Sequence, residues 1–246
     1  SEDNIPLVPR HHLPVSLDGV QEGDFAMIMG YPGGTDRYLS SFGVRSAIET
    51  YNPTVVDVRE EKLNILNRHM RADRDVNIMY ASKKARISNY WKYYIGQTRG
   101  LKRLNVYEKK QAIENRFSTF ANSTEENKAI YGSVLSDIKA AHEKLSTTTL
   151  SRVYLNEAAW SGPSFIQLAR RSERFLKALG SGDEEKMVAA KEAFQALIVE
   201  NFQEYKKVID KEIFVKMIAM YAEGVPGSQL PKAIDSLRRK YRGDFQ

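Results

Sequence analysis

The chain contains no cysteine. Disulfides, thiolate zinc sites and cysteine nucleophiles are therefore excluded from it, although nothing follows about redox compartment. Histidine is scarce: only His11, His12, His69 and His142 occur. None stands in an H-E-x-x-H pattern or at another spacing suited to a metal. No run approaches the ~18 consecutive apolar residues that cross a bilayer, so a soluble chain is expected. The first residues, Ser1-Glu2-Asp3-Asn4, have neither a basic nor an apolar stretch, and no signal peptide is expected. The G-x-S-x-G elbow of serine hydrolases is missing. So is the Lys-Ser/Thr that would make Gly30 to Gly34 a phosphate loop.

The residues that could carry chemistry each have an ordinary explanation. Ser133 follows Gly132 inside an expected helix, a poor place for a nucleophile. Ser161-Gly162-Pro163-Ser164 is a better turn but lacks an evident base. Glu60-Glu61, Glu125-Glu126 and Glu184-Glu185 are expected in first or second helical turns, where they complement the helix dipole. His142 is expected in the last turn of a helix, where a cation suits the dipole. Read from the residues alone, no complete active site is present.

Against these absences stand a chain of 246 residues with 42% apolar content, enough to bury the core of one or two domains. Residues 1 to 50 read as strand and turn. Phe25-Ala26-Met27-Ile28-Met29 fits a buried strand, Tyr31-Pro32-Gly33-Gly34 a turn, and Tyr38 to Ala47 a returning strand with a bulge at Gly43. So few strands do not make a stable sheet alone; they need partners from outside. From Asn52-Pro53, a cap and first-position pair, the pattern becomes helical. Helices are expected over about 52–70, 75–96, 106–121, 123–145, 150–159 and 164–179. A long one follows after Gly180-Ser181-Gly182-Asp183, which Phe214, Met217 and Tyr221 continue or leave for another ending at Gly224-Val225-Pro226-Gly227, and a last one spans about 230–241. In the second, Val76, Met79, Tyr80, Ile87, Tyr90, Trp91, Tyr94 and Ile95 form the core stripe.

Charge is uneven. The net charge is +6 overall, yet Arg71 to Arg116 alone holds 12 Lys/Arg against 4 Asp/Glu. A solvated helical face explains such a stripe; a face for an anionic partner is the sharper alternative. No nucleic-acid motif accompanies it.

The stretch Gly23-Asp24-Phe25-Ala26-Met27-Ile28-Met29-Gly30-Tyr31-Pro32-Gly33-Gly34-Thr35-Asp36-Arg37-Tyr38 resembles the dipeptidyl peptidase 7 and 11 family of serine exopeptidases, serine peptidase family 46. Asn4-Ile5-Pro6 with His11-His12-Leu13-Pro14-Val15-Ser16-Leu17 is similar too, as are Tyr80-Ala81-Ser82 with Ser88-Asn89-Tyr90-Trp91-Lys92, and Lys240-Tyr241-Arg242-Gly243-Asp244-Phe245. Gly34 departs from the family, which often has Arg there.

The resemblance implies a mainly α fold. An all-helical cap domain, 51–246, follows a fragment of a chymotrypsin-like β-barrel, 1–50, that is incomplete here. It implies catalytic His and Asp before Ser1 and catalytic Ser after Gln246, so no catalytic residue is expected in this chain. The implied activity of the intact parent is release of dipeptides from peptide N-termini, in the periplasm. The implied partners are a peptide with a free N-terminus, the remaining barrel segments and a second copy in a homodimer. No nucleic acid, membrane, metal or cofactor is implied. One substrate-binding residue is carried over: Asn89, as the holder of the substrate's α-amino group. On a helical wheel Ser82, Ala85 and Gly96 share its face, opposite Ile87, Trp91 and Tyr94, which would let a ligand come close. An amide oxygen can accept from an ammonium. Tyr90 and Trp91 are expected in the core, and Asp36 and Arg37 at a turn or between domains.

Overall fold

The computed structural model describes residues 8–27, 29, 30, 34 and 36–241, and the chain divides into two units, Ser1–Arg37 and Tyr38–Gln246. The first unit has neither helix nor strand among its described residues. Phe25, Met27 and Met29, expected in a buried strand, are exposed. A strand gains its stability from a neighbouring ladder and a covered face, and the described residues of this unit supply neither. The expected turn at Tyr31-Pro32-Gly33 lies outside the described residues.

The described residues of the second unit form helices joined by short connections. Its first helix corrects the sequence reading: Tyr38 to Ala47 is not a returning strand. Ser41–Ser46 is α1, continuing through a π turn, Ala47–Tyr51, into α2, Asn52–Ala72. Ser40 caps α1 through Gly43 N. The Glu114 carboxylate accepts from Ser41 N at 2.7 Å and Ser41 Oγ at 2.5 Å, satisfying two more groups at the helix start. Gly43 is no bulge; it is a close-packing point, where a Cβ would strike the Leu39 side chain.

The π turn also explains Asn52-Pro53. In an α register the proline ring would strike the carbonyl four residues back. Here Asn52 N–H reaches Ala47 O instead, and the proline is absorbed within one long helix. Asn52 is therefore no cap. It is buried, and its amide donates to Gln97 Oε1 at 2.9 Å and Thr98 Oγ1 at 3.0 Å. Glu60 and Glu61 accordingly sit deep in the helix rather than at its start, and Glu61 pairs with Lys216 at 3.4 Å.

Asp73 alone separates α2 from α3, Arg74–Arg103, and caps it through Asp75 N and Val76 N. Asn105, in the left-handed conformation at φ 48° that asparagine tolerates, turns the chain into α4, Val106–Ala121. Thr124 caps α5, Glu125–Tyr131, through Asn127 N. The expected fourth helix is thus broken at Gly132, while the fourth and fifth merge: α6 spans Val134–Tyr154 and runs on through a second π turn, Leu155–Trp160. His142 is consequently in mid-helix, 3.4 Å from Ser40 Oγ. Next come α7 (Ser164–Arg171), α8 (Glu173–Leu179), α9 (Glu184–Gln203), α10 (Lys207–Gly224) and α11 (Lys232–Lys240).

The core lies where α2, α3, α10 and the second π turn meet. Val58, Leu66, Ile209, Met217, Tyr221 and Tyr80 are almost wholly buried there, each burial stabilising by roughly 1.5–3 kcal/mol. No residue of α9 is buried, so the α7–α9 segment rests on this core rather than forming it.

Candidate functional site

The outer face of α3 is the one singled out by the sequence. Val76, Met79, Tyr80, Ile87, Trp91, Tyr94 and Ile95 are covered or half-covered, while Ser82, Ala85, Asn89 and Gly96 are all exposed. The structure therefore brings the four predicted residues onto one open helical face. The Asn89 amide makes no hydrogen bond to another described residue. Gly96 has open space within 4 Å of where a Cβ would stand. Tyr90 departs from its expected core position: it is 49% exposed, and its ring takes the Arg59 guanidinium at 5.3 Å.

What holds α3 in place was not foreseen. On its inner side Arg59, Lys62 and Glu157 form a buried cluster. Arg59 Nη2 donates to Glu157 Oε1 at 2.8 Å. Lys62 Nζ donates to the backbone carbonyls of Glu157 at 2.9 Å and Ser161 at 3.2 Å, capping the end of the second π turn. It also lies 3.7 Å from Glu157 Oε2, an ion pair rather than a hydrogen bond. Burial lowers the Lys62 ammonium to about 8, against the attraction of Glu157 and with the repulsion of Arg59. Beside it Tyr94 packs edge-on to Tyr51 at 5.6 Å. Burial, then the hydrogen bond with Tyr51, pushes the Tyr94 phenol up.

A second junction anchors the other end of α3. Lys206 N–H donates to the Tyr80 hydroxyl at 2.9 Å, and Lys83 Nζ donates to Ser164 Oγ at 2.8 Å. Lys83 thus leaves the basic stripe and turns inward, and burial lowers its ammonium. Asp210, buried, accepts from Ser164 N at 2.6 Å and Phe165 N at 3.1 Å and so caps α7. Lys83 and Asp210 give Ser164 a structural role.

A serine nucleophile needs a base in hydrogen-bond reach and an oxyanion hole, and the α3 face has none. Among the described residues no three His, Asp or Glu converge as metal ligands. The long-range partners of Lys62 lie 95 and 99 positions away, and no local pattern signals such a contact. What the α3 face offers is a rigid, open helix surface with one amide and small neighbours.

The chain is 34% identical over 98% of its length to an Asp/Glu-specific dipeptidyl-peptidase of Flavobacterium psychrophilum. It is 32% identical over 99% of its length to the dipeptidyl-peptidase 7 of Porphyromonas gingivalis. It spans about a third of the length of these relatives, 34% and 33%. The crystal structure of Porphyromonas endodontalis DPP11 in complex with the dipeptide Arg-Glu superposes with a TM-score of 0.71 at 25% identity, covering 98% of this chain and 34% of that one. The peptidase S46 family model matches residues 1–246. The chain belongs to the peptidase S46 family.

Proposed function

We propose that residues 51–246 are the helical cap of a serine dipeptidyl peptidase that releases dipeptides from peptide N-termini. In this reading Asn89 receives the substrate's α-ammonium through its amide oxygen. Residues ahead of α1 supply strands to a chymotrypsin-like barrel. The barrel carries the His, Asp and Ser that perform acyl transfer, and the intact enzyme works in the periplasm.

The observation that carries the proposal is the placement of Asn89: exposed, unengaged, and flanked by Ser82, Ala85 and Gly96 on a helix locked from behind. A rigid element positions a binding group better than a loop does, and small neighbours admit a peptide backbone. Porphyromonas endodontalis DPP11 has been crystallised with the dipeptide Arg-Glu, which supports peptide as the ligand class. The division of labour between cap and barrel has a direct test. The chain alone should show no dipeptidase activity. A chimera in which it replaces the matching third of the Flavobacterium relative should release dipeptides. Hydrolysis by the pure chain, absent from a mock preparation, overturns the reading, as does a folded but inert chimera.

A further inference from the structure

A cleft of about 830 Å³ lies between α7–α8 and α9, well away in sequence from Asn89. Its lining joins two unlike materials. Arg170, Arg171 and Arg174 come from the end of α7 and the start of α8. Phe175 of α8, Phe194 of α9 and the α9 alanines Ala189, Ala190 and Ala193 complete it, the two rings stacked at 4.8 Å and 12°.

The charge is uncompensated. The one acidic residue in the lining, Glu173, is paired with Lys177 at 2.8 Å. Among the described residues none of the three arginines has an acidic partner. Arg170 is held over the Trp160 ring at 5.5 Å, which fixes its guanidinium without neutralising it. The Asp210 cap and the Lys83 bond to Ser164 moor α7 at its other end.

Guanidinium forks match carboxylates two bonds at a time. The phenyl pair offers an apolar seat, and the alanines allow a main chain to approach. A polyphosphate backbone fits less well. The two rings stack on each other, and the cleft lacks the run of cations that follows a nucleic-acid strand. We propose that this cleft binds an extended peptide carrying acidic side chains, at a site separate from Asn89 and independent of it. Carboxylates engage Arg171 and Arg174, and an apolar side chain rests on Phe175 and Phe194.

The test is fluorescence anisotropy of the whole chain with a labelled, N-acetylated peptide alternating Glu and Phe. Acetylation removes the α-ammonium, so the Asn89 face is not probed. Saturable, salt-weakened binding is expected. It should fall at least ~10-fold in the R171E/R174E double variant, the loss expected from removing charge-assisted hydrogen bonds. R171K/R174K should restore part of it, because lysine keeps the charge and loses the fork. N89A should bind as the parent does. Circular dichroism of the exposed double variant checks its fold. The proposal fails if the parent chain does not bind, or if the folded double variant binds equally well. It also fails if a single-stranded oligonucleotide binds the cleft more tightly than the acidic peptide.

Discussion

Lys62 and Glu157 meet twice: the Lys62 ammonium donates to the Glu157 carbonyl at 2.9 Å and lies 3.7 Å from its carboxylate. One side chain thus closes the end of a π turn and balances the charge inside it. Because Arg59 shares Glu157, two cations depend on a single buried anion.

Glu157→Gln should therefore cost about 3 kcal/mol, since it strands the buried Lys62 and the half-buried Arg59 without a counter-charge. Urea unfolding at pH 7 checks this. A loss below about 1 kcal/mol would mean that water reaches the cluster.

The burial of Lys62 makes stability depend on pH. The folded chain holds Lys62 as a weaker base, at about 8 against an ordinary 10.5. Between those values the unfolded chain binds more protons, so this group makes stability rise with pH across that window. The full window is worth on the order of 3 kcal/mol. Comparing parent and Lys62→Met unfolding from pH 7 to 10 isolates the effect. The parent should gain on the variant as pH rises; parallel curves would contradict it.

Asp210→Ala removes the acceptor for Ser164 N and Phe165 N. It should cost about 1–2 kcal/mol, as lost caps do. Hydrogen exchange should quicken across 164–203 before it does in α2, because α9 buries no residue of its own.

Two glycines should answer in opposite directions. A Cβ at Gly162 would collide with the Ala158 carbonyl oxygen, so Gly162→Ala should destabilise by roughly 1–3 kcal/mol. Gly96 has open space around it inside α3, so Gly96→Ala should stabilise by about 1 kcal/mol. Thermal melts of both variants read the contrast.

These residues also show what a sequence displays of its fold. The limits of α4, Val106 and Ala121, and the Asp183 cap of α9 follow from local signals, and the structure agrees. The split between covered and exposed faces of α3 was legible from its period, apart from Tyr90. Continuity was not. Asn52-Pro53 looks like a helix start because the π turn that absorbs Pro53 leaves no mark in composition. Gly43 resembles a bulge because its reason, contact with Leu39, is visible only in three dimensions. The long apolar pattern after Asp183 hides the break between α9 and α10, where Lys206 N–H leaves the ladder for Tyr80. The Arg59–Lys62–Glu157 cluster joins positions nearly a hundred residues apart, beyond any periodicity.

The proposed role of Asn89 is to receive a free peptide N-terminus. The most direct measurement is steady-state kinetics of the chimera carrying Asn89→Ala and Asn89→Asp, with peptide substrates whose α-amine is free. The alanine variant should lose about 10- to 100-fold in kcat/KM, the worth of one charge-assisted hydrogen bond. The aspartate variant, which still accepts from an ammonium, should keep most of the activity. An alanine variant within twofold of the parent would contradict the assignment and leave the α3 face without a role in substrate binding.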